Sequence, residues 1–276
     1  MKAPANMNGE LCKKLLKLIP ALALIGMCIQ TAQAVTYPTS YWKFDDSANR
    51  GLDTAGGRNV GFPATTPDFD PGLIGDGMNN ATATFKYAVD PATNSVFNLG
   101  SSDFTMQTWV NFASTAGEQV FIEKFTGPSG PGWTFYKLSS NAIEFYGGAG
   151  VGGVGTSPAL TISTGAWHQF VARRSGTTFT LFYDGAAVGS TLGVGAAVTT
   201  SPNPLEISGR SSGGTLGGGK FVQGNMDEVA FWKIALSDSD ISSLFNGGSG
   251  LALIPEPSSV ALAGLGGLVL LRRRRS

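Results

Sequence analysis

The chain has 276 residues, is 42% apolar and 14% charged, and sets 19 Lys+Arg against 19 Asp+Glu. The neutrality is uneven: residues 35–254 carry 11 basic and 17 acidic side chains, a net of −6, and the other basic residues gather at the two ends. An acidic middle without a basic cluster excludes nucleic acid and anionic lipid as partners, and leaves cations and neutral glycans.

In chain order, the first element is Lys13, Lys14 and Lys17, followed by the apolar run 18–29 and Ala32-Gln33-Ala34. A basic start, a short greasy stretch and a small-x-small site predict a secretory signal peptide over residues 1–34, cleaved after Ala34. Pro20 inside the apolar run suits a signal better than a membrane span. Met27 stands before Cys28, where a lipoprotein signal needs a small residue. The only cysteines, Cys12 and Cys28, leave with the signal, so the exported domain folds without disulfides and depends on its core.

From residue 36 onward the chain reads as short strands and turns. Phe104 to Phe112 alternates, with Phe104, Met106, Val110 and Phe112 on one face and Thr105, Gln107 and Asn111 on the other. Residues 167–174 and 178–183 flank Ser175-Gly176 as a hairpin, with Phe179, Leu181 and Tyr183 sharing a face, and Asp184-Gly185 turns the chain again. Further strands are predicted over 41–44, 83–87, 120–124, 133–138, 142–146, 205–208 and 227–232. Ser237 as N-cap, Asp240 three residues on, apolar Ile241, Leu244 and Phe245, and Gly247 as the stop predict one short helix. Many strands, abundant glycine and almost no helix predict an all-β, two-sheet antiparallel sandwich over residues 35–250.

Several blocks then occur in a recognisable order. They are Tyr41-Trp-Lys-Phe-Asp-Asp46, Gly75-Asp-Gly77, residues 103–111, Trp167-His168, Leu181-Phe-Tyr-Asp-Gly185, Met226-Asp-Glu-Val-Ala-Phe-Trp232 and Ala235 to Ile241. The series resembles the LamG-like jelly-roll domains of the concanavalin A-like lectin/glucanase superfamily. The resemblance implies a jelly-roll of two curved sheets. It also implies a Ca²⁺ ion near a sheet edge, held through positions matching Asp45 or Asp46, Asp53, Asn59 and Asp227. Such an ion needs 6–8 oxygens, which carboxylates and loop carbonyls can supply. Trp133, Tyr136 and Tyr146, together with Phe145, are candidate sugar-stacking residues; their competing role is the sandwich core.

Catalytic signals are sparse. The glucanases of this superfamily cluster acids on one strand so that two carboxylates share a cleft. Here Asp227 and Glu228 are adjacent, which on a regular strand sends them to opposite faces, and the segments 121–124 and 141–144 hold one acid each. His168 is the only histidine, and its place beside Trp167 at a strand start predicts a structural role. No Gly-x-Ser-x-Gly elbow accompanies it. Gly150 to Gly155 fits the letters of a dinucleotide fingerprint, but Thr156-Ser-Pro158 opens no helix, so both this run and 211–219 read as loops.

The chain closes at 251–276 with Pro255-Glu256-Pro257, an apolar stretch to Leu271, and Arg272, Arg273, Arg274 and Arg275. This resembles the PEP-CTERM sorting signal, which implies recognition by an exosortase. The competing reading is a plain membrane anchor; residues 258–271 would span about 21 Å as a helix, short of the roughly 30 Å hydrocarbon core. Either way the arginines stay cytoplasmic and the domain lies outside. The expectation is a protein exported through the inner membrane to the envelope, cell surface or extracellular matrix, held transiently by its C-terminal helix. It would act as a non-catalytic binder of glycan, exopolysaccharide or another protein. A glycan-degrading enzyme and a purely structural matrix protein are the alternatives.

Overall fold

The computed structural model describes residues 35–62, 66–80, 88–90, 95–127, 129–148, 152–191, 197–210 and 220–253. The predicted signal peptide with its Ala34 site, the strand predicted over 83–87, the glycine run 211–219 and the sorting tail from Pro255 to Arg275 lie outside them. Among the described residues, no helix is long and apolar enough to cross a membrane.

The strands are β1 (Ser40–Trp42), β2 (Asp68–Pro71), β3 (Asp76–Asn79), β4 (Ala88–Asp90), β5 (Phe104–Phe112), β6 (Gln119–Phe125) and β7 (Gly132–Lys137). They continue with β8 (Ile143–Gly147), β9 (Gly152–Thr156), β10 (Trp167–Ser175), β11 (Thr178–Tyr183), β12 (Ala186–Thr191), β13 (Leu205–Ile207) and β14 (Gly224–Trp232). One sheet runs β12-β11-β10-β5-β14-β3-β2, with β1 also paired to β14; the other runs β4-β13-β6-β7-β8-β9. Every pairing is antiparallel. This is the predicted jelly-roll-like sandwich.

Period-two alternation builds the space between the sheets. Phe104, Met106, Val110 and Phe112 of β5 meet Phe121 of β6, Trp133 and Phe135 of β7, and Phe145 of β8 in one buried cluster. Phe121 stacks on Phe170 at 4.7 Å. Each such ring, fully buried, contributes roughly 1.5–3 kcal/mol by area. The opposite face of the larger sheet is also covered. Tyr41, Val171, Phe182, Ala230 and Trp232 form a second core with Leu236, Ile241 and Leu244. The last two come from helix α1 (Asp238–Phe245), which starts at Ser237 with the full capping box to Asp240. Phe245 stacks on Trp109 at 5.7 Å. The helix ends one residue before the predicted Gly247, because Asn246 already takes the left-handed conformation (φ 48).

Two strands break the alternation, and this shapes the site. In β14 the register against β5 shifts between Asp227 and Ala230, with Glu228 at φ 51. The bulge lets Met226, Val229 and Phe231 all face the same core despite their odd and even numbers. The regular strand assumed for Asp227 and Glu228 is therefore incorrect. In β6 a shift between Val120 and Ile122 puts Phe121 and Ile122 together in the core and turns Glu123 the other way. The glycine run at 150–155 is also corrected. Its residues from Gly152 onward form the edge strand β9, because the glycines keep the chain narrow beside β8 while Val154 reaches the core.

Candidate functional site

On β7 and β8 the residues that alternate with the core rings point away from it. Thr134 and Tyr136 lie between Trp133, Phe135 and Lys137; Glu144 and Tyr146 alternate with Ile143, Phe145 and Gly147. Of these, Thr134, Tyr136 and Tyr146, with Phe125 at the end of β6, wall a pocket of about 160 Å³, and Glu118, Arg210 and Lys220 complete it. Phe125 meets Tyr146 edge-on at 5.8 Å. Tyr136 donates its hydroxyl hydrogen to Glu144, whose other oxygen accepts from Thr156 Oγ1 at 3.1 Å.

The floor is ionic. Arg210 grips Glu123 through Nε (2.9 Å to each carboxylate oxygen) and Nη2 (2.6 Å), and its guanidinium lies 5.2 Å from the centre of the Phe125 ring. Both partners are buried, Arg210 at 3% and Glu123 at 1% exposure. Burial pushes Glu123 up to about 7, although the Arg210 fork pulls it back. Burial also works against the Arg210 charge, but Glu123 outweighs it and raises that group. Arg210 Nη1 has no hydrogen-bond partner among the described residues; Glu118 Oε1 lies 3.9 Å away and is itself paired with Lys220 at 2.5 Å.

Of the three sugar-stacking candidates, Tyr136 and Tyr146 come together here, and Trp133 does not. Trp133 is 1% exposed, donates Nε1–H to Phe97 O at 2.9 Å and stacks on Phe145 inside the sandwich. Its place on the inward side of β7 makes it core, as alternation from Tyr136 requires. The sequence reading missed Phe125, Glu123 and Arg210. Arg210 borders a glycine run and meets Glu123 87 positions away, so no local spacing announced the pair.

The five residues predicted to hold Ca²⁺ each accept hydrogen bonds from backbone amides. Asp53 accepts N–H bonds from Tyr41, Ala55, Gly56 and Arg58 at 2.8–3.0 Å, and its own N–H goes to Asn59 Oδ1 at 3.0 Å. Asp46 caps the turn at Ala48 and Asn49. Asp227 Oδ2 takes the N–H groups of Leu73 and Ile74, and Asp45 Oδ1 takes that of Asp76 at 2.7 Å. These acids pin the β2–β3 turn. Gly75 is needed there because its φ is 70 and a Cβ would stand 2.2 Å from Asp45 Oδ1. Among the described residues, no group of three or more acidic, His or Cys side chains is arranged for a metal ion. Addition of 5 mM CaCl₂ or of EDTA is expected to leave the melting temperature unchanged; a rise with CaCl₂ would mean that an ion binds despite these amides.

The bulge also brings carboxylates into one buried group. Burial and Glu228 push Asp227 up, against the amides that hold it down. Burial pushes Glu228 up to about 7, although the Tyr41 hydroxyl that donates to it acts the other way. A folded state that holds this proton more tightly than the unfolded chain is stabilised below the ordinary carboxylate range, and loses that contribution as pH rises through 7. The melting temperature is therefore expected to fall from pH 5 to pH 8, with Glu228 contributing on the order of 2–3 kcal/mol. Glu228→Gln should flatten part of that slope; an unchanged slope would remove Glu228 as its cause.

Two antiparallel sheets packed on one aromatic core define a jelly-roll β-sandwich. The profile of the concanavalin A-like lectin/glucanases superfamily matches residues 80–242. The chain belongs to that superfamily. The profile of the PEP-CTERM protein-sorting motif matches residues 253–275, which marks the chain for export to the cell envelope and for exosortase processing. No curated protein matches the chain. Among solved structures, it is similar to domain 4 of AbnA, a GH43 extracellular arabinanase from Geobacillus stearothermophilus, in complex with arabinotriose. Identity is 13% and the TM-score 0.57, over 75% of this chain and 97% of that one. It is similar to the binding domain of Paraclostridial Mosquitocidal Protein 1, at 15% identity and TM-score 0.56, over 79% of this chain and 53% of that one. A Trypanosoma rangeli sialidase matches at 17% identity and TM-score 0.52, over 77% of this chain and 33% of that one. The chain thus spans about half of the second structure and a third of the third.

Proposed function

We propose that the exported domain is a glycan-binding module of the cell envelope or extracellular matrix, and that its ligand sits on the outer face of the six-stranded sheet. The observation that carries this reading is the pocket in which Tyr136 and Tyr146 stand beside Phe125, Thr134 and Arg210. Aromatic faces pack on the apolar faces of sugar rings, while Glu118 and Lys220 in the same wall supply directional bonds to hydroxyls. The acid of the pocket wall, Glu118, is paired with Lys220, and the acids bonded to its other lining residues are tied as well, Glu123 to Arg210 and Glu144 to Tyr136. That supports binding without cleavage of glycosidic bonds.

The PEP-CTERM tail would deliver the module, with the apolar stretch held in the inner membrane until an exosortase cuts it. The arabinotriose held by the similar arabinanase domain makes arabino-oligosaccharides the first probes. A glycan array on the purified protein is expected to give hits without release of reducing ends. Release of reducing ends would favour a glycosidase, and a blank array a structural matrix protein.

A further inference from the structure

We propose that Ser163, His168 and Asp184 form a second site, a serine acyl-hydrolase triad that acts on short-chain acyl esters. It lies on the strands of the larger sheet and does not depend on the glycan pocket. His168 is the second residue of β10, Asp184 follows β11, and Ser163 stands in the loop five residues before the histidine.

The contacts have the order that nucleophilic catalysis needs. Ser163 Oγ is 2.8 Å from His168 Nε2, and His168 Nδ1 is 2.8 Å from Asp184 Oδ2. A carboxylate only accepts, so Nδ1 carries the hydrogen and Nε2 offers its lone pair to the serine hydroxyl. Asp184 is fixed from behind: Oδ1 accepts the Gln169 N–H at 2.9 Å, and its own N–H bonds Gln169 O at 3.0 Å. Tyr183 stacks on the imidazole at 5.2 Å; its hydroxyl lies 2.9 Å from Nδ1 and donates to Thr161 O at 3.0 Å. The base is shielded, with a side chain 12% exposed, whereas Ser163 is exposed to substrate.

The structural role predicted for His168 does not account for the serine. The hairpin is held by the β10–β11 ladder, by the two Asp184–Gln169 bonds and by the Gly185 N–H to Gln169 Oε1, none of which uses Ser163. Immediately after Ser163, Thr164 and Gly165 wall a pocket of about 370 Å³ shared with Asn111 and Asn225. At that volume it has room for a short acyl group, and Asn111 and Asn225 are the amide-bearing residues of its wall.

In the first step Ser163 Oγ attacks the acyl carbonyl carbon and its proton passes to His168 Nε2. The C–O bond to the alcohol then breaks, and His168 returns the proton to the leaving oxygen. Water repeats the sequence on the acyl-serine, releasing the carboxylic acid and restoring the hydroxyl. The test uses the purified protein with p-nitrophenyl acetate and a fluorophosphonate probe, alongside Ser163→Ala and Asp184→Asn. The expected results are probe attached at Ser163 in peptide mass spectra, and hydrolysis at least 100-fold above that of Ser163→Ala, whose melting temperature stays that of the parent. Asp184→Asn should lower the rate with probe still attached slowly at Ser163. No adduct at Ser163, or equal hydrolysis by parent and Ser163→Ala, would overturn the proposal.

Discussion

Arg210→Ala is expected to destabilise the domain by about 3–5 kcal/mol, because it strands Glu123 as a buried carboxylate with no counter-charge. For a domain of this size that corresponds to a fall of roughly 10 °C in melting temperature. Glu206 lies across the ladder from Glu123 and adds repulsion, which the Arg210 charge no longer offsets in the variant. Two controls separate the charge effect from lost packing against Phe125. Adding Glu123→Gln to Arg210→Ala should recover much of the loss, since a neutral amide needs no cation. The Arg210→Ala defect should also shrink at pH 5.5, where Glu123 takes up a proton. A small loss that is unaffected by pH would mean that the pair contributes contact area and little else.

Tyr136→Ala and Tyr146→Ala are each expected to weaken glycan binding about 10-fold, equivalent to ~1.4 kcal/mol, with the melting temperature little changed. Both rings stand on the outward side of their strands and only half-buried, so the sandwich core survives their removal. Trp133→Ala makes the contrast. Only three positions before Tyr136 in sequence, this change empties a fully enclosed site against Phe145 and Phe97 and should cost about 3–5 kcal/mol. Isothermal titration with the best glycan, alongside thermal melts, separates the two behaviours. If Tyr136→Ala and Tyr146→Ala bind as the parent does, the ligand lies elsewhere.

The parts of the fold written in local pattern could be read from the chain. Phe104 to Phe112 shows its alternation, Ser237 and Asp240 show their capping box, and Ser175-Gly176 shows its hairpin; each is a short-range physical preference. The strands around the β2–β3 turn were hidden, because Asp68, Asp70 and Gly77 carry no apolar alternation and are held in place by Asp227 and Asp45 from distant segments. Strand β9 was hidden because glycine has no side chain with which to signal a face.

The site was half legible. Tyr136 and Tyr146 were identified as aromatic candidates, but the sequence alone could not divide them from Trp133. That division is a matter of parity on β7 and β8, and a single bulge reverses parity, as it does in β6 and β14. Acids chosen by resemblance as metal ligands turned out to face amide hydrogens, a role that leaves the same trace in sequence. The meeting of Ser163, His168 and Asp184 needed the register of β10 against β11, which no spacing rule supplies.

The most direct test of the glycan-binding face is hydrogen–deuterium exchange of the protein with and without a glycan identified on the array. Protection is expected at the pocket segments 118–125, 132–137 and 143–147, and around Arg210, while the strands of the larger sheet exchange as before. Protection confined to the larger sheet, with residues 132–147 unchanged, would contradict it.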